Sequence, residues 1–279
     1  MSAGMSKKGS IAIYLAFALI LLFFALPLLW LLSLAVRTPA EIFVAEVRIV
    51  PRFPTLRNFE AILQNPQFLV YLWNGLKLSI AGAASACLAA APAAFAFSRF
   101  EFGGRSQLLF ALLALQMISP LVIMVPLYRY MRALGLTEIQ FGAALVYAAI
   151  SAPIATWILK GSFDAIPREL EEAAMIDGCS RWRAFLLITL PIGVPGLASA
   201  FVLTAMLGWS QFMVPFILLS QPHMLPISVG VFNFLGAYTG SATQLVAAAS
   251  ILSLLPAIAI FVVFQKFVVG ALTAGALKE

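Results

Sequence analysis

The residues able to do chemistry in this chain are few, and the ones that cluster point to recognition, not bond-making. The single histidine, His223, stands between Pro222 and Met224, while the two cysteines, Cys87 and Cys179, fall in an apolar run and a polar loop. One imidazole and two separated thiols do not make a metal site. No His-Glu-x-x-His, Gly-x-Ser-x-Gly or Walker lysine motif occurs, so the sequence offers no nucleophile with its base and no phosphate cradle. The expectation is a chain with no catalytic residue, no metal and no cofactor of its own.

The densest polar stretch runs from Asp164 to Arg183. Pro167 suits a first helical turn, and Glu169, Glu171 and Glu172 follow where carboxylates complement the positive end of a helix dipole. Leu170, Ala173 and Ala174 share one face, and Gly178 can take the left-handed conformation that ends a helix. The result is a short helix with a stop at each end. A helix lying on lipid headgroups is the competing reading, but this one has few bulky apolar residues and is acidic, so an anionic surface repels it. Small alanines between charges suit insertion into a groove on another protein.

The elements that must carry this helix are set by composition. Of 279 residues, 63% are hydrophobic and 10% charged, and the mean hydropathy is +1.03, against roughly 25% charge in soluble domains. Most of the chain belongs in lipid. The formal charge of +6 is spread over the ends of apolar runs with no basic face, which excludes nucleic acid as a partner and fits anionic lipid. Apolar runs at about 11–36, 72–98, 107–128, 141–163, 195–219 and 246–269 are each long enough to cross a bilayer. The fold class expected is an all-α integral membrane protein with six transmembrane helices. Lys7 and Lys8 before the first run resemble a secretion signal, but the run is too long and lacks a small-x-small cleavage site, so it reads as a retained span.

Orientation follows from the basic residues. With the N-terminus inside, Lys7, Lys8, Arg99, Arg105, Lys160, Arg168, Arg181, Arg183, Lys266 and Lys278 lie in the cytoplasm, ten against seven on the other face. Four of those seven, Arg37, Arg48, Arg52 and Arg57, lie in the long 37–71 segment, which the rule weighs less. Cys87 and Cys179 then occupy membrane and cytoplasm, so no disulfide joins them. Pro27, Pro92, Pro120, Pro153, Pro215 and Pro256 fall inside runs and are expected to kink them. Dense small residues, as in 81–86 and 89–91, let helices approach closely.

One family joins these features. Glu172-Ala173-Ala174, three residues, Gly178, nine residues and Ile188-Thr189-Leu190-Pro191 resemble the EAA motif of permease subunits in binding-protein-dependent ABC importers. The resemblance covers nearly the whole chain and points to the carbohydrate-uptake, MalG-like branch. Asn74-Gly75-Leu76 opens the second run, Phe97 to Arg105 closes it, and Pro126-Leu127-Tyr128 with Leu134-Gly135-Leu136 resembles the family's exit from the third. The resemblance implies a coupling helix between the fourth and fifth spans, with Glu172, Ala173, Ala174, Gly178, Leu190 and Pro191 at the contact with an ATPase subunit. It also implies a contact through the tail at Thr273, Gly275 and Lys278. The implied partners are a second, MalF-like permease, two ATPase subunits holding ATP and magnesium, an extracytoplasmic solute-binding protein and membrane lipid. The location implied is the bacterial plasma (inner) membrane, multi-pass, with both termini cytoplasmic. Residues 1–279 then form a single permease domain, with 72–270 the shared core and 11–36 an added N-terminal span. Trp209-Ser210-Gln211 stands where relatives often carry Trp-Asn-Glu or Trp-Asn-Asp, and Gly270-Ala271 replaces a usual basic residue and glycine.

The implied function is translocation of a sugar, a di- or oligosaccharide, with a non-sugar solute as the alternative. A sugar needs hydrogen-bonding groups and aromatic faces at membrane depth. Gln116, Ser119, Ser210 and Gln211, beside Trp209 and Phe212, are the candidates for a translocation path, although polar groups in bundles also serve to tie helices together. Phe232, Phe234 and Tyr238 are candidates for docking the binding protein. An ion-coupled secondary transporter is disfavoured, because the spans hold almost no charged residue and no inverted repeat is visible. On this topology a cysteine at position 225 labels from outside with an impermeant maleimide and one at 175 does not; the reverse pattern overturns it.

Overall fold

A computed structural model describes residues 7–43, 49–236 and 243–276. Among them every regular element is helical: α1 (Lys7–Ala35), α2 (Pro39–Phe43), α3 (Arg57–Leu63), α4 (Pro66–Arg99), α5 (Arg105–Ala114), α6 (Pro120–Ala133), α7 (Gln140–Asp164), α8 (Glu169–Ile176), α9 (Arg181–Ala184), α10 (Leu190–Ile192), α11 (Val194–Trp209), α12 (Met213–Leu218), α13 (Ile227–Gly236) and α14 (Thr243–Ala276). Among the described residues four helices are long and apolar enough to cross a membrane, and two bent pairs, α5 with α6 and the run α9–α10 with α11, raise the number to six when each counts as one span. The second span begins at Pro66, so Asn74-Gly75-Leu76 lies two turns inside it, not at its opening. Its 34 residues reach about 50 Å, longer than the roughly 30 Å hydrocarbon core.

Two expected spans are broken, and proline explains both. Pro120 excludes the helical conformation at the residue before it, and Ser119 is extended at φ −59°, ψ 131°. The 107–128 run is thus α5, a 3₁₀ turn (Leu115–Met117) and α6, with Pro120 starting a helix where a kink was expected. In the 195–219 run, Pro215 has no N–H for the carbonyl of Gln211 and its ring crowds that carbonyl. The helix stops at Trp209 and resumes at Met213, and the freed Gln211 carbonyl accepts instead from Ser228 Oγ at 2.8 Å and Tyr147 Oη at 3.3 Å. A further 73° bend separates Arg181–Ile192 from Val194–Trp209, just beyond a π-helical turn at Phe185–Thr189.

The chain divides into two compact units, Leu69–Gly230 with Leu255–Glu279 and Met1–Phe68 with Val231–Leu254. In the larger unit, α4 presents Ala83, Ala86, Ala90, Ala94 and Phe97, all buried, at helical spacing. Ala90 and Ala94 meet Ala155, Leu159 and Phe163 of α7, Ala200 of α11 and Phe185 in one apolar core. The phenylalanine rings interlock: Phe95 and Phe185 centroids lie 4.7 Å apart, and Phe163 meets Phe185 edge-on at 6.3 Å.

In the smaller unit α1 contributes almost nothing to the chain's own core: within Ile13–Ala35 the most apolar window is 0% buried. Only its end is tied down, where the Asn58 amide donates to the carbonyls of Ala35 and Arg37, both at 2.8 Å. Glu41 accepts the backbone N–H groups of Arg52 at 2.7 Å and Phe53 at 3.1 Å. Burial pushes its carboxyl up, but the hydrogen bonds from Phe53, Arg52 and Thr38 outweigh this and hold it below the usual range.

A Cβ on Gly82 would lie 2.6 Å from Tyr147 Cβ, whereas one on Gly103 meets nothing within 4 Å. Gly82→Val is therefore expected to lower stability by about 1–3 kcal/mol through overpacking, and Gly103→Val to leave it unchanged, both read from thermal unfolding in detergent. Equal midpoints would mean that α4 and α7 are not in close contact at this level.

Candidate functional site

The 164–191 segment is built from its carbonyls and carboxylates upward. Helix α8 starts at Glu169, two residues after Pro167, which thus precedes the helix and does not sit in its first turn. It ends in a Schellman motif: Cys179 N–H donates to Ala174 O at 2.9 Å, Gly178 N–H to Met175 O at 3.1 Å, and Gly178 has φ +89°. After this turn Ser180 caps α9, its hydroxyl accepting from Arg183 N–H at 3.3 Å.

The three carboxylates of the first turn do not act alike. Glu169 and Glu172 are exposed, but Glu171 is buried at 6% exposure, a correction to the reading of all three as dipole partners. Glu171 Oε1 accepts from Arg99 Nε and Nη2, both at 2.8 Å, and from Thr189 Oγ1 at 2.7 Å. Arg99 also donates through Nη1 to Ser98 Oγ at 3.0 Å and through Nη2 to Ile166 O at 3.1 Å. Ser98 in turn donates to Asp164, which Lys160 contacts at 2.5 Å, and Arg168 donates to Ser98 O at 3.1 Å. One connected set of charges and hydroxyls therefore joins α8 to the C-terminal ends of α4 and α7 and to the π-turn. A buried charge costs several kcal/mol unless paired and hydrogen-bonded, and here both partners are satisfied.

With Glu171 turned inward, α8 shows the opposite face outward. Glu172 and Ala173 are exposed, Ala174 is half-buried, and Ile176 is 87% exposed, a large apolar side chain left bare beside a carboxylate. Gly178 is exposed, Leu190 is half-buried and Pro191 exposed on the α10 turn. The expected contact residues thus form an open surface backed by a rigid polar set.

The path candidates sit at the two helix breaks. Gln116 and Ser119 are exposed in the α5–α6 corner, where Gln116 Nε2 donates to Ile150 O at 2.6 Å. Ser210 Oγ bonds back to Leu207 O at 3.1 Å, and Gln211 is half-buried with its backbone carbonyl engaged as described. Among the described residues no hydrogen bond joins the two pairs to each other. An apolar groove of about 680 Å³, lined by Ala84, Leu88, Leu186, Val194, Leu197 and Phe264 among others, contains none of the four. Its lining is apolar apart from Trp182 and Cys87.

At the end of the larger unit away from α8, Asn74 Nδ2 donates to His223 O at 2.8 Å and Leu225 O at 3.0 Å, and Gln140 Nε2 to Met224 O at 3.0 Å. This explains Asn74 in its motif: it holds three successive carbonyls together with Gln140. Glu138, at φ +58°, has its carboxyl held below the usual range, chiefly by the Ser220 N–H. His223 is exposed, but Leu225 is 5% exposed, so position 225 is a poor labelling site and 223, paired with 176, carries the topology test better. Phe234 packs on Phe68 at 6.2 Å within the smaller unit's core, Phe232 is 55% exposed, and Tyr238 lies outside the described residues. Of the tail residues, Thr273 and Gly275 fall in the last turns of α14, and Lys278 lies outside the described residues.

Sequence reasoning missed the ion pair. Its signal was Arg99, the residue closing the second run, together with a carboxylate on the helix face opposite the alanines. At residues 87–273 the chain matches the family described as Binding-protein-dependent transport system inner membrane component. It is 30% identical to the sulfoquinovosyl glycerol transport system permease protein SmoH of Agrobacterium fabrum, over 99% of this chain and 98% of that one. It is 32% identical to the galactooligosaccharides transport system permease protein GanQ of Bacillus subtilis, over 95% and 94%. Its fold is similar to a chain in a crystal structure of a bacterial ABC transporter that imports the acidic polysaccharide alginate, at TM-score 0.77, 21% identity and 95% and 99% coverage.

Gly178→Val is expected to strain the α8 terminus by about 1–2 kcal/mol, because the left-handed backbone disfavours a branched side chain. Gly178→Asn, which tolerates that conformation, should cost less. Hydrogen exchange at 173–181 reads this as faster exchange in the valine variant than in the asparagine one; equal rates would remove Gly178 as the helix stop.

Proposed function

Because the chain belongs to the family of binding-protein-dependent transport system inner membrane components, we propose that it is the permease subunit that carries a sugar, a di- or oligosaccharide, through an ATP-driven importer. Permeases of this family are not enzymes; ATP is hydrolysed on separate subunits. The observation that carries the reading is α8, a short helix whose Glu172, Ala173 and Ile176 face outward while Glu171 anchors its other side. Such a helix is built to be pushed from outside. Glu172, Ala173, Ala174, Gly178, Leu190 and Pro191 are its contact with an ATPase subunit, and Thr273, Gly275 and Lys278 a second contact through the tail.

The assembly is this chain, a second permease, two ATPase subunits that bind ATP with magnesium, and a solute-binding protein docking at the end that carries His223. Helix α1, unburied within its own chain, supports the need for lipid or a second permease around it. Residues 1–279 act as a single permease domain, 72–270 its core, with both termini and α8 in the cytoplasm. Arg99, Lys160, Arg168, Arg181 and Arg183 lie near α8 in sequence or contact, which supports that side as the inner one. The sugar reading draws on the relatives' substrates and not on a built site. The breaks at Gln116 and Ser119 and at Ser210 and Gln211 are the places where main chain and polar side chains can line a path.

The test is uptake in proteoliposomes by the complex co-purified with this chain. Uptake of radiolabelled di- or trisaccharide is expected to require ATP and the binding protein, and Glu172→Lys or Ala174→Trp to reduce it at equal membrane levels. Uptake by the chain alone without ATP, or wild-type uptake in both variants, would sink the proposal.

A further inference from the structure

The set around Glu171 is buried behind the exposed Glu172 and Ala173 of the coupling surface. Helix α8 could be held to its own chain by apolar packing; instead it is held by a charge. Glu171 Oε1 gathers donors from two places far apart in sequence, Arg99 at the foot of α4 and Thr189 in the π-turn ahead of the fifth span. The Arg99 and Glu171 side chains are 6% and 8% exposed, so solvent screens their attraction little. Thr189 is 0% exposed, and its hydroxyl donates to the same oxygen that receives Arg99. Arg99 then reaches Ile166 O and Ser98 Oγ, and Ser98 reaches Asp164 at the end of α7.

We infer that Glu171 is the positioning residue that joins α8 to the second, fourth and fifth spans as one rigid foot, so that a displacement of α8 reaches all three together. This rests on the reading of α8 as the coupling helix. The compliance lies beyond the foot. Thr189 ends the π-turn, four residues before Gly193, and Gly193 is where the run from Arg181 turns by 73° into α11. A movement of the foot is therefore taken up at the Gly193 bend, which re-aims α11 and the break at Ser210–Phe212, and not lost within the 164–191 loop. Glu171 and Glu172 divide the work: one faces the chain, the other the partner.

The test uses the full complex with its co-purified partners, in a background lacking Cys87 and Cys179, with variants Glu171→Gln, Arg99→Lys, Thr189→Val and the reversal Arg99→Glu with Glu171→Arg. Binding-protein-stimulated ATP hydrolysis and uptake are measured together. The single variants are expected to hydrolyse ATP while uptake per ATP falls roughly two- to thirty-fold, with part of the loss recovered by the reversal. A second readout is the distance between spin labels at 101 and 176, both exposed. In the wild type it should be narrow and the same with and without ATP; in Glu171→Gln and Thr189→Val it should broaden, and in Glu169→Gln it should not. Unchanged uptake per ATP with an unchanged narrow distance overturns the inference. If Glu171→Gln does not assemble, Thr189→Val decides by the same two measurements. A wild-type complex without any binding-protein-stimulated hydrolysis sinks the importer reading itself, and the spin-label distance still tests the rigid foot.

Discussion

A backbone carbonyl inside lipid has no water to turn to, so each one that loses its helical partner must be given another from the protein. Much of this structure follows from that constraint. Pro215 takes away the partner of the Gln211 carbonyl, and Tyr147 and Ser228 supply replacements from α7 and α13. The carbonyls of His223, Met224 and Leu225, at the end of the 3₁₀ turn Pro222–Met224, are met by Asn74 and Gln140 from the second and fourth spans. Each replacement crosses between helices, so satisfying the break also fixes helix positions. Breaks in this chain are therefore joints with defined partners.

The same reasoning separates the two ends of the larger unit. Around Asn74 the bonds are neutral amide to carbonyl, each worth about 1 kcal/mol net. Around Glu171 they are charge-assisted and converge on one oxygen, and charge-assisted bonds are roughly twice as strong. Removing one partner there leaves a buried charge uncompensated, at about 3–5 kcal/mol. The stronger of these two sets of contacts thus lies where a partner is proposed to push, and the weaker where solute is proposed to enter.

Spans were legible because lipid leaves one solution, a helix of about twenty apolar residues. The runs at 72–98 and 141–163 became α4 and α7, and the Gly178 stop came from a glycine placed just past a charged, alanine-rich turn. The breaks were only half legible. Pro120 and Pro215 flagged departures from a straight helix, but whether a proline bends or breaks its span depends on which neighbours can take up the freed groups. Those neighbours, Ser228 and Tyr147 for Gln211, are set by tertiary packing. Leu225 and Phe234 were misread for a related reason: an apolar residue in a loop looks available until a loop-anchoring asparagine or a facing ring such as Phe68 shows that it is core.

Glu171 was hidden by its own neighbour. In the run Glu169-Leu170-Glu171-Glu172 the carboxylates look alike, and a helix dipole gives all three the same reason to exist. Helical geometry does not treat them alike, because successive residues lie about 100° apart around the axis. Once Ala173 and Glu172 face outward, Glu171 is turned toward the chain and must find a cation or unfold the turn. Arg99 is that cation, and it can reach because α4 continues to Arg99 and ends beside α8. The length of the second span and the inward carboxylate are therefore one design: shorten α4 by a turn and Glu171 becomes a buried charge without its counter-ion.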